Sequence, residues 1–402
     1  MNIIITGATG FIGKQLIPLL NFKKNKIYLF GRDIKKLNEF YPKYMVYEYK
    51  DIEKVMNKES IILHLAVKNN DKDNNKKYLK EFQKVNVIFA EEIYRKALQA
   101  KSKIFINLST VNIFSENKKD PYSITKRKLM NNINSKNQLK FINLILPIVY
   151  GSKFSGKLNL FNIFPSSVTS ILMTFISAFK PTMNIKLLAD HINRKEFIKI
   201  DYDMIIADDK NDNIFFKIFK KSIDIFFSLL ILIFFCWLIL IISLLIKISS
   251  NGSIIFAHER VGKNNVIFNC YKFRTMKLNT KVAATHKVSS EQVTFIGKIL
   301  RKTKLDEIPQ VINVLKGDMS FIGPRPCLPL LKDIVKLREK YKINTILPGI
   351  TGLAQVNGID MSNPNKLIKT ELQYFKLRSI LSEIKIIILT LLGRGSGDKI
   401  IK

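Results

Sequence analysis

The stretch NIIITGATGFIG, residues 2–13, decides the fold of the first half of the chain. Its apolar run Asn2–Thr6 is typical of a short buried β-strand, and it leads directly into Gly7, Gly10 and Gly13. In this spacing the first glycine permits a tight turn, the second lets the backbone approach a pyrophosphate, and the third permits close helix packing. Because a helix N-terminus attracts anions, the stretch predicts a strand–turn–helix unit that binds a dinucleotide.

Four more apolar segments alternate with helical patterns through the first half of the chain. This alternation predicts a Rossmann-like α/β fold, a doubly wound parallel sheet with helices on both faces. The predicted strands are residues 27–30, 61–64, 104–108 and 141–146.

The composition bounds the class of protein. A length of 402 residues predicts two or three domains, and 47% hydrophobic residues exclude disorder of the whole chain. Lys and Arg number 66 against 32 Asp and Glu, and the net charge of +34 favours a polyanionic partner. The lysines are scattered among Asn and Ile, a mixture that A/T-biased coding produces without selection for a ligand. We therefore predict no specific nucleic-acid partner.

Neither the cysteines nor the histidines form a recognisable site in the sequence. Cys236, Cys270 and Cys327 show no paired spacing, so neither a disulfide framework nor a zinc knuckle is predicted, and a reducing cytosol fits. The four histidines are equally dispersed, and each is predicted to be structural.

Residues 225–246 differ from the rest of the chain because they carry no charge over 22 positions, with Ser228 and Ser243 as the interruptions. As a helix rising about 1.5 Å per residue, this segment would extend roughly 33 Å, the thickness of a bilayer's hydrocarbon layer. It predicts a membrane helix over 222–248 after a basic linker over 209–221. Residues 168–179 are shorter and contain Ser and Thr, which favours a soluble helix. The first 13 residues lack the features of a secretion signal and are expected to belong to a fold.

Tyr122 and Lys126 lie four residues apart, so on a helix they share one face. An ammonium group near a phenol favours the phenolate, which would lower the pKa of Tyr122 toward the range useful for proton transfer. With the glycine turn and with Leu-Ser-Thr at 108–110, this pair resembles the extended short-chain dehydrogenase/reductase family of NAD-dependent nucleotide-sugar epimerases, dehydratases and reductases. The resemblance covers residues 1–208 and includes Asp51, Asn86 and residues 64–66, 147–151 and 196–201.

The resemblance implies catalytic and cofactor-binding roles for several residues. Thr110, Tyr122 and Lys126 would be the catalytic triad, with Tyr122 as general acid/base. Asp51 would contact the adenine of NAD or NADP, alongside the glycine turn. Arg32 follows the second strand, where NAD-preferring members tend to carry an acid, so it could meet a 2′-phosphate, and NADP is favoured over NAD.

The first half also departs from the family pattern. Only 12 positions separate Thr110 from Tyr122, and the remaining substrate-binding portion of the family is missing after Asp201, so the domain is interpreted as C-terminally truncated. Two readings stay open, because a fold does not define an activity. One is an epimerase or 4-keto reductase, and the other is a non-catalytic nucleotide-binding module that regulates or scaffolds.

Four sequence blocks follow the apolar segment: HERVG at 258–262, YKFRTM at 271–276, LRKTKLDEIPQ at 300–310, and residues 313–326, which end in GPRP. They supply guanidinium groups suited to phosphate oxygens, a carboxylate pair and rigid Gly/Pro loops. Their order and spacing, with PGITGLAQVNG at 348–358, closely resemble the bacterial sugar transferase family, the monotopic polyprenyl-phosphate phosphoglycosyl transferases. The resemblance implies a mainly α-helical transferase domain over 249–402.

That resemblance implies a two-step displacement. Asp306 would attack the sugar-linked phosphate of a UDP-sugar and release UMP, and undecaprenyl phosphate would then take the phosphosugar. Glu307 would help to hold Mg²⁺, which offsets the diphosphate charge. Neighbours on a helix point about 100° apart, so the two acids can take different roles. The implied phosphate- and substrate-binding residues are Arg325, Arg274, Arg260, Arg301 and Lys272.

Two departures affect these expectations. Leu347 and Ile359 stand where family members commonly have Arg, which could change the choice of nucleotide or sugar. The family's membrane helix turns back within one leaflet, usually at a proline, whereas FCWL at 235–238 contains none, so a full span is also allowed. Both nucleotide ligands are cytosolic and lysines flank both ends of the segment, so we predict a re-entrant helix with an unusual break.

The sequence therefore predicts a fused enzyme at the bacterial inner membrane, with both soluble domains facing the cytoplasm. Its first domain would finish a UDP-sugar, and its second would load that sugar onto undecaprenyl phosphate to start an O-antigen, capsule or exopolysaccharide. Membrane lipids are the other expected partner, and the oligomeric state is left open. A rival reading, a membrane-anchored basic nucleic-acid binder, predicts salt-sensitive retention of DNA.

Overall fold

The chain forms two compact units in the computed structural model. The first comprises Met1–Ser177 and Pro181–Asp209, and the second comprises Ala178–Lys180 and Lys210–Lys402. The structure describes residues 2–21, 26–69, 78–115, 118–133, 139–154, 156–200, 202–249, 251–277 and 292–395.

The strands of the first unit build a parallel sheet. They are β1 Asn2–Thr6, β2 Lys26–Gly31, β3 Met45–Glu48, β4 Ser60–His64, β5 Ile104–Thr110, β6 Lys140–Leu146, β7 Ile148–Tyr150, β8 Thr182–Asn184 and β9 Met204–Ile205. Seven of them pair in the order β3-β2-β1-β4-β5-β6-β9, and β7 pairs separately with β8. Because the strand order reverses beside β1, the carboxyl ends of β1 and β4 form the crevice where such folds bind ligands.

Helices cover both faces of this sheet, which confirms the predicted doubly wound fold. Alternate residues of β1 enter different cores: Ile3 and Ile5 pack on one face, and Ile4 packs on the other. A π-helical segment, Lys84–Phe89, joins two of the helices. The helices are α1 Phe11–Leu16, α2 Ile34–Phe40, α3 Ile52–Val55, α4 Leu79–Gln83, α5 Ala90–Gln99, α6 Pro121–Asn132, α7 Ser166–Phe179 and α8 Ile185–Asn193.

The second unit is mainly helical. Its helices are α9 Ile214–Phe234, α10 Cys236–Ser249, α11 Phe295–Thr303, α12 Gln310–Lys316, α13 Lys332–Lys340, α14 Leu353–Val356, α15 Pro364–Leu377 and α16 Ile380–Leu391. Its strands are β10 Ile255–Val261, β11 Ile267–Phe273, β12 Ser320–Ile322 and β13 Gly349–Thr351. β10 and β11 form an antiparallel hairpin, whereas β12 and β13 pair in parallel and bring the two Gly/Pro loops together.

The apolar segment forms two helices rather than one. α9 and α10 meet at Phe235 with a bend of 64°, where the Phe235 backbone leaves helical geometry at φ −108° and ψ 10°. The break therefore occurs without a proline. Among the described residues no single helix is long and apolar enough to cross a membrane, whereas the bent pair together meets that length and composition.

Candidate active sites

The glycine turn lies at the crevice between β1 and β4. Gly7 has φ +74°, and a Cβ atom there would lie 2.5 Å from the Ala66 amide nitrogen in the loop after β4. A Cβ atom on Gly13 would lie 2.3 Å from the Ala8 carbonyl oxygen. Only glycine permits both approaches, which agrees with the backbone geometry predicted for the first and third glycines, while their part in binding a dinucleotide stays a prediction. Gly10 precedes α1 and its N–H donates to the Gly7 carbonyl at 3.0 Å.

Tyr49 contacts this turn, and two predicted cofactor residues follow β2 and β3. The Tyr49 hydroxyl accepts a hydrogen bond from the Gly7 N–H at 3.1 Å, a contact that the sequence motifs did not reveal. Arg32 is exposed directly after β2, as a partner for a 2′-phosphate must be. Asp51 forms an ion pair with Lys54 at 2.7 Å, and Lys54 lowers the pKa of Asp51. A glycine turn with an accessible guanidinium group nearby fits NAD(P).

The three predicted catalytic residues come from β5 and α6. Thr110 ends β5, and its hydroxyl accepts from the Asn112 N–H at 3.4 Å. Tyr122 and Lys126 lie one turn apart on α6, as predicted, but the Lys126 Nζ donates to the Leu108 carbonyl at 2.6 Å.

The direction of the Tyr122 pKa differs from the sequence prediction. Burial, reinforced by Asp120, raises the pKa of Tyr122 to about 12. Burial also lowers the pKa of Lys126 to about 7, so much of its positive charge is lost near neutral pH. The expected lowering of the Tyr122 pKa was wrong for the cofactor-free protein, because burial outweighs any effect of Lys126.

Two further buried polar residues support this site. Asn86, in the π-helical segment, accepts from the Lys68 N–H at 2.7 Å, and its amide group lies 3.1 Å from the Thr125 hydroxyl on α6. It therefore ties the loop after β4 to the helix that carries Tyr122. His64 pairs with the Thr6 hydroxyl at 2.9 Å, and burial lowers its pKa to about 3. A neutral buried histidine agrees with its predicted structural role.

The predicted carboxylate pair lies in a short 3₁₀ turn, Leu305–Glu307, rather than in an α-helix. Lys304 has a left-handed backbone at φ 59° and ends α11 immediately before the pair. In a 3₁₀ turn successive side chains point about 120° apart, so the predicted divergence of Asp306 and Glu307 holds with a different geometry. The Asp306 residue is 8% exposed.

The two carboxyl groups have different partners. Glu307 accepts from the Lys272 Nζ at 2.5 Å and from the Arg325 Nη2 at 2.8 Å, while Asp306 lies 4.0 Å from the Lys272 Nζ. Burial alone would raise the pKa of Glu307, but Arg325 and Lys272 outweigh it and hold that pKa well below its usual range. Burial raises the pKa of Asp306 to about 6, against the opposing effect of Lys272.

The other predicted arginines extend this basic surrounding. Arg260 donates to the His258 Nε2 at 2.8 Å and to the Pro326 carbonyl at 3.1 Å. Burial and Arg325 lower the pKa of Arg260 to about 10. Arg301 donates to the Thr275 hydroxyl at 2.9 Å, and its charge lowers the pKa of Asp306. Arg274 is buried just after β11, and its backbone N–H donates to the Ile254 carbonyl at 2.9 Å.

Arg338 is a functional candidate that the sequence motifs missed. It lies on α13, and its Nη2 donates to the Arg325 carbonyl at 2.8 Å. Its guanidinium group also forms a buried bidentate pair with Glu371 at 2.8 and 2.6 Å. The pair therefore fixes the backbone that presents Arg325 to Glu307. No local motif signals this contact, because the partners are far apart in the sequence.

Ile359, one of the two departures from the transferase pattern, packs against an apolar cluster that includes Val261 and Cys327. Leu347 is partly buried before the loop that leads into β13. Both positions therefore carry apolar side chains, and their effect on the choice of nucleotide or sugar stays a prediction.

The fold and sites define the class of protein: a Rossmann-like parallel sheet with a glycine turn at its crevice, followed by a mainly helical unit in which the carboxylates of Asp306 and Glu307 lie among basic side chains. The model of the NAD dependent epimerase/dehydratase family matches residues 3–205, and that of the bacterial sugar transferase family matches residues 215–394. The chain therefore belongs to both families, as a fusion in which each occupies its own half.

Curated relatives match the transferase half. UDP-glucose:undecaprenyl-phosphate glucose-1-phosphate transferase of Escherichia coli (strain K12) is 37% identical over 183 residues, 43% of this chain and 39% of that protein. Exopolysaccharide production protein PSS of Rhizobium leguminosarum bv. phaseoli is 37% identical over 200 residues, 45% of this chain and 98% of that protein. The chain thus spans about two fifths of the first relative and nearly all of the second.

Solved structures match the first half at low similarity. The UDP-glucuronic acid 4-epimerase from Bacillus cereus, in complex with UDP-glucuronic acid and NAD, is 16% identical with a TM-score of 0.41, covering 52% of this chain and 77% of that one. The dTDP-4-dehydrorhamnose reductase from Bacillus anthracis str. Ames, in complex with NADP, is 17% identical with a TM-score of 0.36, covering 52% and 74%. The sheet itself and the match to the family model define the fold of this half.

Proposed function

We propose that the second half of the chain transfers a sugar 1-phosphate from a UDP-sugar to undecaprenyl phosphate, which starts assembly of an O-antigen, capsule or exopolysaccharide. Membership in the bacterial sugar transferase family supports this, as do relatives named for undecaprenyl-phosphate transfer and exopolysaccharide production. The observation that carries the proposal is the adjacent pair Asp306 and Glu307, in which Glu307 accepts hydrogen bonds from Lys272 and Arg325 while the buried Asp306 lies 4.0 Å from the Lys272 Nζ.

This pair suits covalent catalysis because only Glu307 is held directly by cations. Asp306, with a pKa of about 6, is ionised at neutral pH but largely removed from water. A poorly solvated carboxylate is a stronger nucleophile than an exposed one, and a covalent intermediate divides one difficult transfer into two steps.

In the proposed first step, a carboxylate oxygen of Asp306 attacks the sugar-linked phosphorus of the UDP-sugar. The bond from that phosphorus to the bridging oxygen breaks, and UMP leaves with the electron pair. In the second step, a phosphate oxygen of undecaprenyl phosphate attacks the same phosphorus, and its bond to Asp306 breaks. Cationic side chains stabilise the charge on the phosphoryl oxygens during both steps. The proposed phosphate-binding residues are Arg325, Arg301, Arg260, Arg274 and Lys272.

We propose Mg²⁺ as the metal of this site, with Glu307 as a protein ligand. Magnesium commonly binds one or two carboxylates together with substrate phosphates and water. Within the described ranges no three His, Cys, Asp or Glu side chains group to hold a metal, so phosphate oxygens would supply the remaining ligands. When bound, Mg²⁺ would neutralise charge on the diphosphate.

For the first half, we propose modification of the nucleotide sugar, as an epimerase or a 4-keto reductase. Membership in the epimerase/dehydratase family supports this, and NAD(P), with NADP favoured by Arg32, would supply the hydride chemistry when bound. With a pKa of about 12, Tyr122 is a neutral phenol that can donate a proton to the oxygen of a keto group.

A second candidate is a nucleotide-binding module without turnover. One observation favours it: the Lys126 ammonium donates to the Leu108 carbonyl, and burial rather than Lys126 sets the pKa of Tyr122. NADPH binding without oxidation in the presence of any keto-sugar would support this candidate.

We further propose that the bent pair α9 and α10 enters and leaves the same side of the bacterial inner membrane, so that both units face the cytoplasm. The 64° bend at Phe235 supports a re-entrant path. The units before and after the segment along the chain would both use cytosolic nucleotides, so both are expected on the cytoplasmic side.

The first test is UMP release by the detergent-solubilised full chain with Mg²⁺, undecaprenyl phosphate and a panel of UDP-sugars. We expect one or more donors to support release, and Asp306→Asn to lower it by about 10³-fold or more. Asp333→Asn, an exposed carboxylate on α13, is the matched control and should keep full activity. Absence of UMP with every donor would refute the proposed donor class, and full activity of Asp306→Asn would refute the nucleophile.

A further inference from the structure

Helix α7, Ser166–Phe179, buries two polar side chains and exposes large apolar ones. Its buried positions include Thr169, Met173 and Ser177, which recur every fourth residue on one face and of which two are polar. Ile171 is 64% exposed and Phe175 is 47% exposed on the opposite side. A surface helix of a soluble protein normally buries its apolar stripe and exposes its polar one.

The exposed apolar side chains continue upstream of α7. Leu160 is 68% exposed and Ile163 is 78% exposed, in the 3₁₀ segment Gly156–Ile163 that precedes the helix. Positions 168, 171 and 175 are spaced by three and four residues along α7, so they lie on one stripe. We call this surface the apolar face; its members are Leu160, Ile163, Phe164, Val168, Ile171 and Phe175.

The stretch of sequence that contains the apolar face carries charge of one sign. Between residues 151 and 189 the sequence has no Asp or Glu, whereas it has Lys153, Lys157, Lys180 and Lys186. An apolar helical face flanked by lysines matches an anionic lipid surface, where apolar side chains enter the acyl boundary and lysines meet the headgroups.

We infer that the apolar face binds the surface of a lipid bilayer and gives the nucleotide-binding unit a membrane contact of its own. At 14 residues α7 would extend about 21 Å, too short to span the hydrocarbon layer, so it lies in the interface. This goes beyond the proposed transfer reaction and replaces the expectation of an ordinary soluble helix over 168–179. Nucleotide sugar modified by this unit would then be released at the membrane surface.

The test uses the full chain in lipid nanodiscs that contain anionic lipid. Cys236, the exposed cysteine, is replaced by Ser, while Cys270 and Cys327 are buried. A polarity-sensitive fluorophore is then attached at Ile171→Cys, with the exposed Lys58→Cys as the matched control. Brominated lipids should quench about half of the emission at position 171 and leave position 58 unchanged, because an interfacial helix buries its apolar face among acyl chains.

Two results would overturn the inference. Emission at position 171 as water-like as at position 58 would mean that nothing covers the face. Blue-shifted emission that brominated lipid does not quench would mean that protein, such as a second copy of the chain, covers it.

A charge variant supplies an independent measurement. The double variant Ile171→Glu/Phe175→Glu should abolish lipid quenching of a fluorophore at Phe164→Cys, while Lys58→Glu should leave that quenching intact. Circular dichroism and thermal melting verify that the variants are folded. UMP release should be unchanged in both, so a failed transfer proposal and a failed membrane contact are distinguishable. Unaltered quenching at position 164 in the folded double variant would also overturn the inference.

Discussion

At the scale of single residues, Asp306 and Glu307 show how two adjacent acids acquire opposite properties. Asp306 is buried and the Glu307 side chain is 12% exposed, and removal from water raises the pKa of any carboxyl group. Glu307 receives two charge-assisted hydrogen bonds, from Lys272 and Arg325, and these reverse the effect of burial. Asp306 receives only longer-range support, from Lys272 at 4.0 Å and from the charge of Arg301, so burial dominates. The ionised Glu307 can hold cations, and the proposal gives Asp306 the role of nucleophile.

We predict that kcat/KM for UMP release falls tenfold per pH unit below about 6, because a protonated Asp306 cannot attack phosphorus. Lys272→Met should move this limb to higher pH, since the Lys272 ammonium opposes the rise of the Asp306 pKa. The measurement is a pH–rate profile of the wild type, of Lys272→Met and of the exposed-lysine control Lys263→Met. An unmoved limb in Lys272→Met would contradict the assignment of that limb to Asp306.

We predict that the Asp306→Asn variant, although inactive, is more stable to unfolding than the wild type at pH 8. The folded pKa of Asp306 is raised from the usual 3.8 to about 6, so the folded state binds more protons than the unfolded state within that window. Stability contributed by this group is therefore lost as the pH rises from about 4 to 6, and the full cost persists above 6. Asparagine does not ionise, and the melting temperature should rise by about 2–4 °C at pH 8 and by about half of that at pH 5. An equal rise at both pH values would point to packing instead of ionisation.

At the scale of elements, the apolar patterns predicted the positions of the strands that local sequence determines. Strands β1, β2, β4, β5 and β6 lie within two residues of their predicted bounds, because their runs are apolar, short and bounded by turns. β3 was not predicted, since only part of its surface is buried and its pattern is weak. Tyr49, which follows β3 and contacts Gly7, was missed with it.

The residues of the candidate transferase site were predicted in part, because several of them lie in local sequence motifs. Its motifs identified Asp306, Glu307, Lys272 and Arg325, and the structure brings these four together. The motifs did not predict the local backbone geometry. Lys304, in a left-handed conformation, ends α11, and the two carboxylates lie in a 3₁₀ turn. Arg338 acts from α13 through a long-range contact that no local pattern contains.

The Arg338–Glu371 pair gives a prediction about how one element positions another. Arg338→Met should destabilise the fold by about 3–5 kcal/mol, because it leaves Glu371 charged and buried without its partner. The double variant Arg338→Met/Glu371→Leu should recover much of that loss. It should still release UMP more slowly than the wild type, because the Arg325 carbonyl has lost its donor. Urea unfolding and UMP assays measure the two effects, and full activity of the double variant would exclude a positioning role.

The bend between α9 and α10 predicts the topology of the membrane segment. Single cysteines at Lys217 and Asn251, both exposed near the outer ends of the pair, should resist a membrane-impermeant maleimide in intact cells. Both should react after permeabilisation, because a re-entrant pair returns its ends to the cytoplasm. Labelling of one position in intact cells would establish a full span instead.

At the scale of the whole molecule, two families on one chain support the proposal of two chemistries that share a nucleotide sugar. The reactions proposed for Tyr122 in the first unit and for Asp306 in the second use different residues. Each residue can therefore be substituted without removing the residues of the other reaction. Tyr122→Phe keeps the ring that packs in the site and deletes only the hydroxyl, which makes it a matched test of proton transfer.

We predict that Tyr122→Phe in the full chain lowers NADPH oxidation with UDP-4-keto-sugars by about 10²-fold or more and leaves UMP release unchanged, because a positioned general acid contributes on this scale. Asp306→Asn should show the reverse pattern. NADPH fluorescence and UMP release, measured on the same preparations, separate the two effects. If wild type and Tyr122→Phe bind NADPH equally but neither oxidises it with any keto-sugar, the first unit is a nucleotide-binding module. Its influence would then be sought as a change in UMP release when NADPH is added, since a regulatory ligand must alter the equilibrium or rate of the unit it controls.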